Sequence, residues 1–264
     1  MSSNTSMFRL DGKVVVVVGA ASGIGAAVAE AVAQQGGHVV ALDVNDEGAK
    51  AVAESIRGTG GAAESGSLDI RDRRAVESCF DDIEKRLGRM DGVVSTPSVN
   101  VRKRVLDYSD EELDRVLDLN LKGSFHVLQA AGRILKARRG GSIVVFSSIR
   151  SLMVEPGQAV YAATKAGIVQ MVRTVAAELG SDGVRVNALA PGVVETPLTK
   201  PIQSKPDWYR AYADKNVFKR WASPEEMAWP TVFLLSEAAS YITGAVLFVD
   251  GGWTAVDGRY EPPG

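Results

Sequence analysis

Tyr161 and Lys165 stand four residues apart in a stretch whose apolar positions, Ile168, Met171, Val172, Val175 and Leu179, follow helical spacing. A helix puts residues four apart on one face, so a phenol and an ammonium are expected side by side. A phenol ionises near pH 10 and is a poor proton acceptor near neutrality. A neighbouring cation favours the phenolate, which would make Tyr161 a usable acid/base. Ser148 lies 13 residues before Tyr161, directly after a β-branched run at 142–147. Its hydroxyl is suited to hydrogen-bonding a substrate oxygen on which negative charge develops. Asn120, in Leu119-Asn120-Leu121-Lys122-Gly123, falls mid-helix, where an amide is otherwise awkward. One site would account for all four positions, whereas a lone Tyr-x-x-x-Lys usually marks a solvated face.

A second constellation sits near the N-terminus. Gly19-Ala20-Ala21-Ser22-Gly23-Ile24-Gly25 separates a valine run at 14–18 from an alanine-rich helix at 24–35, closed by Gly36 and Gly37. A helix start offers free N–H groups and the positive end of its dipole to a pyrophosphate, and glycine lets the backbone come close. Asp43 ends the next strand, 38–42, and lies 18 residues past Gly25. That is near the offset at which an acid hydrogen-bonds the hydroxyls of an adenosine ribose.

Alternation of this kind continues through a helix at 47–57, a strand ending at Leu68, a helix at 73–87 and a strand at 92–95. A long helix within 110–137, a strand at 142–147, a helix at 159–179 and strands at 184–189 and 245–249 follow. Seven strands alternating with helices predict a parallel α/β sheet with right-handed crossovers, helices on both faces, and ligands at the carboxyl edge. The irregular stretch 197–223 carries Trp208, Tyr209, Tyr212, Phe218 and Trp221; it reads as a lid over a ligand or as an extra pair of packing helices.

Composition sets the outer bounds. The 264 residues include 30 Lys+Arg against 32 Asp+Glu, for a net charge of −2, so neither nucleic acid nor an anionic membrane is an expected partner. One cysteine, Cys79, and two histidines, His38 and His126, provide no disulfide and no usual zinc set, and fit a reducing, cytoplasmic setting. The apolar run from Val14 is broken by Gly19, Ser22, Gly23 and Gly25, which reads as a buried strand entering a helix and not as a signal or anchor. The whole chain, 1–264, reads as one domain with a polar tail at 1–6 and a C-terminal tail at 254–264. Cys79 and Met171 read as core residues, His126 as structural, and Arg102-Lys103-Arg104 as a solvated basic run.

From Leu10 to about Trp253 these motifs resemble the short-chain dehydrogenases/reductases. The resemblance implies a single doubly wound Rossmann-type domain with strand order 3-2-1-4-5-6-7, and a homotetramer or dimer. It implies a dinucleotide held by Gly19, Ser22, Gly23, Ile24 and Gly25, with Asp43, Val44, Asp69 and Ile70 at its adenosine end and Ser95 beneath. Pro191, Gly192, Val194 and Thr196 would hold the nicotinamide carboxamide, and Asp250-Gly251-Gly252 completes the pattern. Tyr161 would exchange the substrate proton, Ser148 would hold the oxygen, Lys165 would tune Tyr161 and bind the nicotinamide ribose, and Asn120 would hold a proton-relay water. Residues two after the serine and three before the tyrosine, Arg150 and Gln158, would face the substrate, with Asn100 as a third polar neighbour. Arg150 either binds a substrate carboxylate or pairs with Glu155. One departure stands out: Ser95-Thr96-Pro97-Ser98 replaces the family's usual Asn-Asn-Ala-Gly.

Together these readings imply hydride exchange between NAD(H) and a small polar secondary alcohol or its ketone: a hydroxy acid, a polyol or a sugar-derived compound. An acid at position 43 disfavours the 2′-phosphate of NADP. The alternatives are an NADPH-linked 3-ketoacyl carrier-protein reductase, against which Asp43 argues, and a dinucleotide-sensing protein without catalysis.

Overall fold

The computed structural model describes residues 7–256. The expected N-terminal tail and the end of the C-terminal tail lie outside the described residues. A seven-stranded sheet of order β3-β2-β1-β4-β5-β6-β7 forms the centre. The strands are β1 Val14–Val18, β2 His38–Asp43, β3 Ala63–Ser67, β4 Gly92–Ser95, β5 Gly141–Phe146, β6 Val184–Pro191 and β7 Val246–Val249. Every pairing is parallel; β1 meets β2 through Val14 opposite His38 and β4 through Val15 opposite Gly92.

The valines of β1 are all buried because the sheet is covered on both sides. Alternate residues feed separate cores: Val14, Val16 and Val18 pack toward Phe80, Leu128 and Ile168, whereas Val15 and Val17 pack toward Val28, Ile56 and Val232. The helices are α1 Gly23–Gln34, α2 Asp46–Gly58, α3 Arg73–Leu87, α4 Asp110–Leu117, α5 Ser124–Arg138, α6 Ala159–Leu179, α7 Lys200–Gln203, α8 Pro206–Ala213 and α9 Glu225–Leu235. Cys79 and Met171 pack against the first core, as expected, and His126 Nδ1 lies 2.9 Å from the Ile70 carbonyl oxygen.

The single long helix expected within 110–137 is two helices joined by a π turn, Asp118–Gly123. Periodicity alone does not register such a turn, since it adds residues without ending the helix. It rotates Asn120 into the interior, where it is fully buried, while the Asn120 carbonyl accepts a bond from Ser124 Oγ at 2.7 Å. Gly123 closes the turn because a Cβ there would sit 2.7 Å from Ile70.

The segment 197–223 contains two short helices, α7 and α8, the extra pair of packing helices of one of the two readings. Tyr212, Trp221, Trp253 and Ile202 form a third apolar cluster with Ile149. Tyr209 stacks on Trp221 at 4.9 Å between centroids, and Trp221 Nε1 donates to the Tyr209 carbonyl at 2.9 Å.

Candidate active site

A cleft of about 600 Å³ runs along the carboxyl edge of β1, β2, β4, β5 and β6. Its walls bring together residues expected from three distant parts of the chain. Gly19, Ser22, Gly23, Ile24 and Gly25 form one side, with Asp43, Val44, Asp69 and Ile70 beyond them. Ser148, Tyr161 and Lys165 lie toward the other end, with Pro191, Gly192, Val194 and Thr196. A side cavity of about 300 Å³ shares Ser148, Tyr161 and Gly192 and is bounded by Asn100, Arg102, Arg150, Gln158 and Tyr212.

The glycine turn is shaped for close approach. Gly19 and Gly23 have φ of 85° and 54°, conformations that side chains disfavour. A Cβ on Gly25 would fall 1.9 Å from the Gly19 carbonyl oxygen. Ser22, the N-cap of α1, makes no side-chain capping bond, so the first-turn N–H groups face the cleft without a protein side chain to satisfy them. Asp43 is fixed at the rim: its Oδ2 accepts from Ala21 N at 3.0 Å and its Oδ1 from Asn45 N at 2.9 Å. Free N–H groups, absent Cβ atoms and an anchored acid fit a dinucleotide.

The replacement of the usual Asn-Asn-Ala-Gly is compensated locally. Thr96 donates through Oγ1 to the carbonyls of Val18 at 3.0 Å and Gly19 at 3.2 Å, pinning the β4 end to the glycine turn. Ser95, expected to contact the cofactor, is instead the buried last residue of β4 and does not line the cleft. The chain reaches the cleft wall one residue later, through Thr96, Pro97, Ser98 and Val99.

Tyr161 and Lys165 share a face of α6, and Lys165 Nζ lies 5.5 Å from the centre of the Tyr161 ring. Nζ donates to the Phe146 carbonyl at 2.9 Å, while Ser147 Oγ donates to the Lys165 carbonyl at 2.9 Å, so β5 and α6 are tied at the reaction end. Burial pushes the Lys165 ammonium down to about 7. Burial also raises the Tyr161 phenol above its ordinary range, against the opposing effect of Ser148 and Ser98 hydroxyls and the charges of Arg102 and Arg150. Desolvation is the leading influence on both groups, opposite in direction to the lowering expected for Tyr161 from a neighbouring ammonium and the cofactor's positive ring. Ser148 caps the short turn Ile149–Ser151, its Oγ accepting from Arg150 N at 3.2 Å.

Asn120 stands behind the cleft wall. Its Oδ1 accepts from Val99 N at 2.8 Å, and its Nδ2 donates to the Val99 carbonyl at 2.9 Å and Thr164 Oγ1 at 3.2 Å. Both amide protons are spent on the protein, so the side chain positions the 98–100 segment against α6.

In the side cavity Arg150 Nη2 donates to Glu155 Oε2 at 2.5 Å, the pairing alternative to substrate contact, and its guanidinium lies 5.4 Å from the Trp253 ring centre. Glu155 also accepts from Tyr212 Oη, at 2.5 and 2.6 Å, and from Gln158 Nε2, whose Oε1 accepts from Asn100 Nδ2 at 2.8 Å. Arg102 was expected on a solvated basic run, yet it reaches this wall: Nη1 lies 3.4 Å from Glu155 and 3.2 Å from Tyr212 Oη, with Trp208 at 5.5 Å. Sequence gave no periodic cue for it, because the aromatic partners that draw it in lie more than 100 residues away. Two guanidiniums thus share one carboxylate, leaving this wall with an excess of positive charge.

Comparison with known proteins identifies the class. A family model described as Enoyl-(Acyl carrier protein) reductase matches residues 19–254. The chain is 37% identical over 245 residues to 3-oxoacyl-[acyl-carrier-protein] reductase of Thermotoga maritima, covering 92% of this chain and 98% of the relative. It is 39% identical over 249 residues to D-threitol dehydrogenase of Mycolicibacterium smegmatis, covering 94% and 95%. A crystal structure of gluconate 5-dehydrogenase from Burkholderia cenocepacia, in complex with NADP and tartrate, superposes with a TM-score of 0.92 at 31% identity over 95% of this chain and 98% of that one. The chain belongs to the short-chain dehydrogenase/reductase family and is an oxidoreductase. Among the described residues no helix is long and apolar enough to cross a membrane.

Proposed function

We propose that the protein interconverts a small, polar secondary alcohol and its ketone with NAD(H), the substrate being a polyol or a sugar-derived hydroxy acid. The observation that carries this reading is the meeting of Ser148, Tyr161 and Lys165 in one cleft with the glycine turn and Asp43. A bound nicotinamide dinucleotide supplies the hydride acceptor or donor. Gly19, Ser22, Gly23, Ile24 and Gly25 would hold its pyrophosphate, Asp43 its adenosine ribose, and Pro191, Gly192, Val194 and Thr196 its nicotinamide. In alcohol oxidation Tyr161 takes the hydroxyl proton at Oη, and Ser148 Oγ donates to the substrate oxygen as charge moves onto it. In its ammonium form Lys165 retains two further Nζ–H donors, beyond the one given to the Phe146 carbonyl, for the nicotinamide ribose and for orienting Tyr161.

The polar side cavity supports the substrate class. Arg102, Arg150, Gln158 and Asn100 make its wall polar and positively charged; several of their polar atoms are bonded to Glu155, Tyr212 or one another, while Asn100 Oδ1 is buried without a partner, a surface that suits a hydroxylated substrate better than an acyl chain. The D-threitol and gluconate enzymes among the relatives agree with a hydroxylated substrate. A second reading, an NADPH-linked 3-ketoacyl carrier-protein reductase, is favoured by the Thermotoga relative. NADP in the Burkholderia structure bears on the same question, whereas Asp43 favours NAD. We further propose a homo-oligomer, as the family resemblance implies, with Trp229 on α9 and Tyr241, five residues ahead of the edge strand β7, among its exposed large apolar side chains.

The test is a panel of polyols, sugar acids and acetoacetyl thioester assayed at 340 nm with each cofactor. Turnover of hydroxylated compounds with NAD is expected. Turnover of the thioester alone, with NADPH, would favour the second reading, and dinucleotide binding without any turnover would favour a sensor.

A further inference from the structure

Two guanidiniums bound the side cavity, and no carboxylate among the described residues does: Glu155, which both approach, stands behind the wall. One carboxylate balances one guanidinium, and distance decides which. Arg150 Nη2 donates to Glu155 Oε2 at 2.5 Å, and the Arg150 side chain is 9% exposed. Arg102 Nη1 reaches the same carboxylate only at 3.4 Å, and its side chain is 30% exposed. That Nη1 also donates to Tyr212 Oη at 3.2 Å, whose own proton goes to Glu155. Among the described residues Arg102 Nε and Nη2 have no hydrogen-bond partner. Together they form one edge of the planar fork, an edge that can take a carboxylate through two parallel bonds. Residue spacing offered Arg150 for that task; the contacts leave Arg102 free for it. Arg102 is also held in place. Asn100 Nδ2 donates to Gln158 at 2.8 Å, Lys103 N donates to the Gly157 carbonyl at 3.0 Å, and the Val101 carbonyl accepts from Tyr108 Oη. Gln158 and Gly157 lie just ahead of α6, so the loop is tied to the helix that presents Tyr161. On the other side the guanidinium lies 5.5 Å from the Trp208 ring centre and 6.0 Å from that of Tyr212, both on α8, which restrains the cation further.

We propose that Arg102 determines specificity: its guanidinium holds a carboxylate of the substrate while Ser148 and Tyr161 act on a hydroxyl of the same molecule. The proposal rests on the function proposed above and narrows it, choosing the sugar-derived hydroxy acid over the neutral polyol. The side cavity of about 300 Å³ shares Ser148 and Tyr161 with the main cleft, so one small molecule can meet both ends. One unbalanced positive charge matches a carboxylate monoanion, whereas a phosphate dianion would be left half-matched.

The experiment is a calorimetric titration of the full chain, with and without NADH, using sodium D-gluconate and its neutral analogue D-gluconamide. NADH and an alcohol are both reduced, so no turnover disturbs the heats. The acid should bind about 10–100-fold more tightly than the amide, the scale of hydrogen bonds to a charged group. Arg102→Gln keeps a polar side chain and removes the charge, so it should collapse that ratio to within about threefold. Arg102→Lys keeps the charge without the fork and should retain part of the preference. Wild type alone can refute the idea: equal affinities for acid and amide, or no binding of either, would overturn it even if the variants failed to fold. An undiminished ratio in Arg102→Gln would overturn it too. Turnover separates this proposal from the wider reading. Acid preference that depends on Arg102, without oxidation of any alcohol by NAD or NADP, would leave the carboxylate site standing and remove the dehydrogenase assignment.

Discussion

Substituting Asp43 by Asn tests the cofactor assignment at one pair of atoms. In the native chain the carboxylate is locked at the end of β2 by Ala21 N at 3.0 Å and Asn45 N at 2.9 Å, so it cannot swing away from an incoming phosphate. A 2′-phosphate carries between one and two negative charges at neutral pH. At about 4 Å, and with the effective dielectric of a cleft rim between about 40 and 80, each unit of like charge costs about 1–2 kcal/mol. Compensation is poor: Arg71 also lines the cleft but is bonded to Asp69 at 2.6 and 3.0 Å, and Arg115 belongs to α4, which packs with α6. The wild type should therefore prefer NAD over NADP by at least about tenfold, or 1.4 kcal/mol. Asn keeps an acceptor for one backbone N–H and removes the charge, so the ratio of kcat/KM for the two cofactors should shrink by about tenfold. Initial rates at 340 nm with saturating alcohol and varied cofactor give the ratio directly. Equal efficiency with both cofactors in the wild type, or an unchanged ratio in Asp43→Asn, would refute the reasoning.

Lys165 couples the site to stability. Burial lowers its pKa to about 7, so between pH 7 and about 10 the unfolded lysine holds a proton that the folded one has lost, and stability rises with pH at up to about 1.4 kcal/mol per unit. Urea titrations between pH 7 and 8.5, below the range where the raised thiol of Cys79 acts in the opposite sense, should show this slope in wild type and its loss in Lys165→Met; parallel slopes would contradict it. Gly25→Ala places a methyl 1.9 Å from the Gly19 carbonyl oxygen and should cost about 1–3 kcal/mol of stability and at least tenfold in NADH affinity by fluorescence quenching, whereas wild-type binding would show that the turn does not hold the dinucleotide closely. Glu155→Gln leaves the buried Arg150 guanidinium without its counter-charge and should cost about 2–4 kcal/mol in denaturant unfolding, while a change below about 0.5 kcal/mol would mean that Glu155 is dispensable to the wall.

The strands were legible because burial on both faces leaves nearly unbroken apolar runs, as in Val14–Val18, and because glycine punctuates the turns between them, whereas their order came from the family resemblance. Gly19–Gly25, Asp43, Ser148, Tyr161 and Lys165 were legible as chemistry because each is a residue type with a definite job at a strand end or on a helix face. Their meeting in one cleft is a property of the parallel topology, which brings strand ends to a common edge. The π turn was hidden, since Asn120 differs from a helical asparagine only in how its backbone bonds. The side-cavity wall was hidden for another reason: Arg102, Glu155 and Tyr212 are distant in sequence and carry no shared period. Ser95 misled because the cleft begins one residue past the strand that it ends. The acidity of Tyr161 also ran against expectation, since residue spacing reports neighbours and says nothing of how thoroughly the fold strips water from them.

Turnover by Tyr161→Phe, set beside its NADH binding, tests the catalytic reading most directly. Phenylalanine keeps the packing of the buried ring on α6 and removes only the hydroxyl that exchanges the proton. A fall in kcat of about 10²–10⁴ with NADH affinity unchanged is the predicted result. Wild-type turnover by that variant would contradict it.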